Sequence, residues 1–307
     1  MSIENIPLAL PERLELHARK VVEGFITGMH KSPYQGFSVE FAEHRPYNTG
    51  ESTRHMDWKL LARTEKYYIK RYEAETNLRC WCVIDRSSSM RYPEERSGID
   101  KPNKLWYAAK ATSALFQMLK RQRDAFGLGL IGEKLEFLSE ARLSTRHHRF
   151  LLNSLSDMLE DKAEKPVKTD LANSLHELAE RISRRSLVLV FTDMFEPEEK
   201  MEELQAAFQH LQFRGHDVSV FHVHDRQTEM DLELGRQPLQ LVDMETGAKM
   251  KIEPGQLRKH YTERAEAFQR RMKELCGRTG ADWNEADIQQ GMEPVFIEFL
   301  RKRGKMY

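Results

Sequence analysis

Cysteine is scarce: Cys80, Cys82 and Cys276 are the three in 307 residues. So small and odd a number offers no disulfide framework and points to a reducing compartment. Cys80 and Cys82 stand two apart in an extended apolar stretch. They share one face and read as small hydrophobes rather than as half of a zinc site. An excess of one charge is also missing, since Lys+Arg and Asp+Glu number 48 each. A balanced chain projects no field towards nucleic acid or an anionic membrane. The basic clusters "RISRRS" and "RKRGK" read as solvated helix ends. No apolar run reaches the roughly 18 to 20 residues that a membrane span needs. The start, "MSIENIPLALPERLELHARK", carries acids early and lacks the apolar stretch of a signal peptide. No internal repeat and no low-complexity segment occurs. These absences lead us to expect a cytoplasmic protein.

What is present, 40% hydrophobic and 31% charged residues, suits one large domain with an appendage. Residues 1–76 read as a small α+β appendage. Pro11 opens a helix with Leu14, Ala18, Val21, Val22 and Phe25 at helical spacing, which Gly28 can end. Alternating stretches follow at Phe37, Val39 and Phe41 and again over 66–76, with a short helix, "MDWKLLAR", between them. Residues 77–307 switch to strand alternating with helix. "CWCVID" and "SLVLVFTD" are apolar on both faces, as central parallel strands are. Asn103 can cap the helix that carries Leu105, Ala108, Ala109 and Thr112. "LQLVDMETGAKMKIE" reads as a hairpin, and helices are predicted near 255–279 and 292–303. The pattern predicts an α/β fold with a doubly wound, mostly parallel sheet.

Two of these strands end in an aspartate, Asp85 and Asp193. Ligands of open α/β sheets bind beyond the carboxyl ends of the strands. Ser87 and Ser89 follow Asp85 at i+2 and i+4, so one carboxylate and two hydroxyls can converge, and Thr169, opening a later helix, offers a third hydroxyl. Hard oxygens of this kind suit Mg²⁺ or Mn²⁺, which need few protein carboxylates. The plainer reading is that Asp, Ser and Thr here are ordinary caps and turn residues.

Asp85-x-Ser87-x-Ser89, then Thr169, then Asp193, resembles the metal-ion-dependent adhesion site of von Willebrand factor A domains. The resemblance implies a Rossmann-like fold in which the serines and threonine contact the metal directly or through water. It also implies that one or both aspartates act through water and that one coordination position is open to a partner's acidic side chain. Gly36, Glu40, Phe41, Arg45, Gly50, Arg54, Asp57, Trp58, Ala62, Arg63 and Glu73 narrow the resemblance. They are similar to the signature of a bacterial family with a von Willebrand A-like domain, domain of unknown function fifty-eight. Members typically occur with MoxR-type AAA+ ATPases, which implies a non-enzymatic adaptor or chaperone-like role with that partner. The chain departs from the family where Val167 and Lys168 replace the usual glycines before Thr169. Lys168 there can compete with the cation, balance its acids or face the partner. It departs again from many von Willebrand A domains at Met194, where those domains carry glycine.

The enzymatic alternative is a metal-dependent phosphohydrolase using Asp85 and Asp193. In haloacid-dehalogenase-like enzymes the residue two after the nucleophile is a second acid, and here it is Ser87, whose hydroxyl cannot serve near neutral pH. No Gly-x-Ser-x-Gly or His-Glu-x-x-His motif is present. His222 and His224 alternate near Asp225 and offer candidate metal ligands, but they read better as core or strand-end histidines; His147 and His148 are adjacent. Trp58 reads as a packing seam, while Arg54 and Arg63 suit either that seam or a partner's carboxylates.

Overall fold

The computed structural model describes residues 7–30, 44–46, 63, 67–70, 78–161, 166–194, 198–235 and 237–304. The first helix, α1 (Leu10–His30), runs past Gly28. Its Leu10, Leu14, Ala18 and Val21 are buried in a hydrophobic cluster shared with residues beyond 78. By contacts the chain divides into Met29–Asn77 and a larger unit of Met1–Gly28 with Leu78–Tyr307. Helix α1 therefore groups largely with the second part of the chain, because its apolar stripe is buried there. In the smaller unit β1 (His44–Pro46) pairs antiparallel with β2 (Tyr68–Lys70). Phe37 to Phe41, the short helix up to Ala62, and Arg54 and Trp58 lie outside the described residues.

The larger unit is built on six strands. They are β3 (Arg79–Asp85), β4 (Ala125–Ile131), β5 (Leu135–Leu138), β6 (Leu187–Thr192), β7 (Asp217–His224) and β10 (Asp282–Asp287). The order across the sheet is β10-β7-β6-β3-β4-β5, and every pairing is parallel except β4 with β5. Counted along the chain this is the 3-2-1-4-5-6 order of doubly wound sheets. A separate antiparallel hairpin joins β8 (Leu239–Val242) to β9 (Lys249–Ile252), in register from Leu239 opposite Ile252.

Strand β3 shows why a continuous apolar run is needed at the centre. Cys80, Cys82 and Ile84 face one core cluster, and Trp81 and Val83 face another. The first cluster lies beneath α1, α2 (Lys104–Gln122), α3 (Thr145–Glu160) and α7 (Glu293–Gly304); the second lies beneath α4 (Leu171–Arg181), α5 (Met201–Phe213) and α6 (Pro254–Arg278). Asn103 caps α2 as expected, its side chain accepting from Trp106 N at 2.9 Å. Gly127 makes room for Trp81: a Cβ there would stand 2.7 Å from the indole Nε1. That indole N–H donates to Ser139 O at 3.1 Å.

Candidate metal centre

The chain leaves β3 for β4 on one side of the sheet and later returns to β6 on the other. The C-terminal ends of β3 and β6 thus flank the point where the winding reverses, and loops diverge there to leave a crevice. Asp85 ends β3, and Asp193 follows Thr192, the last residue of β6. Both aspartates are buried, at 3% and 4% exposure.

Asp85 is held from three directions. Its Oδ1 accepts from Ser87 N at 2.8 Å and from the Thr169 hydroxyl at 2.7 Å, and its Oδ2 accepts from the Thr192 hydroxyl at 2.7 Å. The Ser87 and Ser89 hydroxyl oxygens lie 3.0 Å apart. They do not converge as alternate residues of an extended chain, because the backbone enters a 3-10 turn at Ser88–Arg91. The Ser87 N–H bond to Asp85 turns the chain back over the carboxylate instead. Ser88 fastens this turn to the Thr169 loop: its N–H donates to Val167 O at 3.0 Å and its hydroxyl accepts from Val167 N at 2.8 Å. Thr169 was expected to open a helix, but α4 begins at Leu171. Asp170 is the cap, accepting from Asn173 N at 3.3 Å, so the Thr169 hydroxyl remains turned to Asp85. Met194 adopts a φ of 54°, a left-handed conformation that favours glycine. Its N–H donates to the Thr192 hydroxyl at 3.0 Å.

The electrostatics are those of crowded acids. Burial, and then the charge of Asp193, raise the Asp85 carboxyl above its ordinary range, against the three hydrogen bonds that favour its ionised form. Lys104, 1% exposed, reaches in from the first turn of α2. Its ammonium donates to Asp193 Oδ2 at 2.9 Å and to Glu229 Oε1 at 2.6 Å. Burial alone would lower the pKa of Lys104, yet Asp193 and Glu229 hold it above the usual lysine value. Glu245, in the turn between β8 and β9, is a fourth carboxylate at the crevice, and its Oε1 accepts from the Ser89 hydroxyl at 3.4 Å. Burial, followed by Asp193, Asp85 and Asp243, pushes Glu245 up to about 7.

These donors fit a small hard cation. An octahedral ion with oxygens at about 2.0–2.1 Å places neighbouring oxygens roughly 2.9 Å apart. The Ser87–Ser89 separation of 3.0 Å is close to that spacing, and the Thr169 hydroxyl is held beside them by its 2.7 Å hydrogen bond to Asp85. Asp193, already bonded to Lys104, suits an outer position. Among the described residues no group of three or more His, Cys, Asp or Glu side chains forms a metal cage, so a site here draws mainly on hydroxyls.

The remaining candidates scatter. Lys168 is exposed, and its charge acts on Asp243, lowering that carboxyl, after hydrogen bonds from Thr246 and Glu245 that lower it more. Arg63 is exposed in the smaller unit. His222 and His224 are buried and stacked on one another, with ring centroids 4.8 Å apart, and His222 also stacks on Trp283. Lys104, Thr192, Glu229 and Glu245 escaped the sequence reading. A lysine in the first turn of a helix opposes the helix dipole, and that was the available signal for Lys104. Glu245 carries no local signal.

The profile described as "Protein of unknown function DUF58" matches residues 43–271. The uncharacterized protein Rv1480 of Mycobacterium tuberculosis and the uncharacterized protein Mb1516 of Mycobacterium bovis are each 26% identical over 193 residues, 63% of this chain and 59% of theirs. The chain thus spans less than two thirds of the length of these relatives. Among solved structures, BatB from Bacteroides thetaiotaomicron aligns at 15% identity and a TM-score of 0.41, over 73% of this chain and 99% of BatB. The VWA domain of SpRpn10 aligns at 14% identity and a TM-score of 0.34, over 48% of this chain and 76% of that domain. Because the profile spans most of the sheet with both of its strand-end aspartates, this chain, with its doubly wound sheet, belongs to the DUF58 family.

Proposed function

We propose that the crevice at the ends of β3 and β6 is a metal-ion-dependent protein-binding site. Ser87, Ser89 and Thr169 would supply hydroxyl oxygens to Mg²⁺ or Mn²⁺, with Asp85 and Asp193 acting through water. A bound cation so poor in protein carboxylates attracts an acidic side chain from a partner protein. The observation that carries this reading is a pair of serine hydroxyls 3.0 Å apart at the end of β3, beside a buried Asp85 carboxylate that accepts from Ser87 N and from the Thr169 hydroxyl. In this reading the chain is an adaptor and not an enzyme. A MoxR-type AAA+ ATPase is the partner suggested by the family resemblance, which would place the module in the cytoplasm. Three buried free cysteines suit that compartment, and among the described residues no helix is long and apolar enough to cross a membrane. The phosphohydrolase alternative gains no support: Ser87 stands where a general acid is needed, and both Asp85 oxygens accept hydrogen bonds.

The test is thermal unfolding with and without millimolar Mg²⁺ or Mn²⁺, for the wild type and Asp85→Ala. At one hundred times its dissociation constant a cation adds about 2.7 kcal/mol of stability. That gain should appear in the wild type and vanish in Asp85→Ala. A wild type that neither gains stability nor binds Mn²⁺ in calorimetry would overturn the proposal.

A further inference from the structure

The β8–β9 hairpin is built as a tether for one side chain. Its strands are largely exposed, with Ile252 the buried residue at the base. Its turn, by contrast, is tightly ordered. Asp243 Oδ1 accepts from Glu245 N at 2.8 Å and Thr246 N at 3.3 Å, and its Oδ2 accepts from the Thr246 hydroxyl at 2.5 Å. Gly247, at a φ of 72°, donates its N–H to Asp243 O at 2.8 Å. A left-handed residue at that point lets the turn close without a Cβ penalty. Glu245 projects from this turn to the Ser89 hydroxyl, 156 residues away in sequence. Lys168, one residue before Thr169, acts electrostatically on Asp243 and so favours holding the turn against the loop that carries a candidate ligand.

From the juxtaposition of Glu245 with Ser89, Asp85 and Asp193 we infer that Glu245 is a tethered ligand. It occupies the coordination position that a partner's acidic side chain would take. This rests on the metal-site reading above and adds a regulatory element to it. Four carboxylates, those of Asp85, Asp193, Glu229 and Glu245, gather at a crevice where, among the described residues, Lys104 supplies the buried ammonium. A fourth acid at the rim is favourable once a divalent cation balances it. The hairpin's exposed strands have few contacts to break, so a partner that brings its own acid can displace the turn without unfolding the sheet.

The experiment measures Mn²⁺ binding by the loss of the free-ion electron paramagnetic resonance signal. It also measures water-proton relaxation per bound Mn²⁺, in the wild type, Glu245→Gln and Asp85→Ala. Glu245→Gln should bind Mn²⁺ about tenfold more weakly and show the extra relaxation of about one more inner-sphere water. Acetate, as the carboxylate probe, should reduce that extra relaxation in Glu245→Gln and leave the wild type unchanged. If the wild type binds Mn²⁺ through Asp85 while Glu245→Gln matches it in affinity and relaxation, the tethered ligand is refuted and the metal site stands. An affinity loss without the extra water reduces Glu245 to a distant charge and likewise refutes it. If the wild type and Asp85→Ala both fail to bind Mn²⁺, the metal site itself falls.

Discussion

Lys104→Met is the substitution with the largest expected consequence. Methionine keeps most of the apolar stem and removes the ammonium, which is 2.9 Å from Asp193 and 2.6 Å from Glu229. At an effective dielectric near 20 each contact is a gross attraction of about 6 kcal/mol. Much of that is offset by the cost of burying the charges, so the net loss on removing one partner is about 3–5 kcal/mol. Glu229, with 22% of its side chain exposed, can rehydrate, whereas Asp193 at 4% cannot. The loss should therefore concentrate at Asp193, whose charge then faces Asp85 with no ammonium to offset it. Urea unfolding at pH 7.5 in chelator should show the midpoint falling with the slope unchanged.

Adding Asp193→Asn to Lys104→Met should recover about 2 kcal/mol, while adding Glu229→Gln should recover little. Mg²⁺ should stabilise Lys104→Met more than the wild type, since an added cation then replaces a missing one. A loss below about 1 kcal/mol, or a double variant with Asp193→Asn that recovers nothing, would show that the ammonium does not neutralise the buried acids, and the electrostatic account of the site would fall with it.

Gly127→Ala should cost about 1–3 kcal/mol by overpacking. The new Cβ meets Trp81 at 2.7 Å and the Ser139 hydroxyl at 3.1 Å. A shift there disturbs the bond from Leu128 N to that hydroxyl. Calorimetry should show melting lowered by about 2–4 °C per kcal/mol and the response to Mg²⁺ retained; unchanged melting would mean the Trp81 pocket is loose. His148, 1% exposed, has its pKa lowered to about 4 by burial and then by Lys120. The folded value lies below the unfolded one near 6.5, so its contribution is complete above pH 6.5 and is lost as pH falls towards 4. The loss is at most about 3 kcal/mol. His148→Gln should flatten the fall of urea stability over that window, and an unchanged slope would remove His148 as its cause.

Much of this architecture was legible because it is encoded locally. Strands β3 and β6 announce themselves as apolar runs, since a strand covered on both faces has no polar side to show. The α2 cap at Asn103 and the β8–β9 hairpin follow from residues within a few positions of one another. Asp85, Ser87, Ser89 and Thr169 were legible as a set because strand-end acids and nearby hydroxyls carry their own chemistry. Their convergence was assigned to an extended backbone, whereas the structure achieves it with a 3-10 turn closed by a backbone bond to Asp85.

The division of labour has a physical cause. Periodicity reports which face of an element is buried, and composition reports what chemistry a side chain can perform. Neither reports which distant element lies alongside, because that depends on strand order and on the packing of helices over the sheet. The sequence by itself therefore determined the sheet and its central strands, and it pointed to the acid and hydroxyl side chains at their ends. Only the tertiary structure could seat the ammonium of Lys104 between Asp193 and Glu229. Only it could bring Glu245 from an exposed hairpin to the hydroxyl of Ser89.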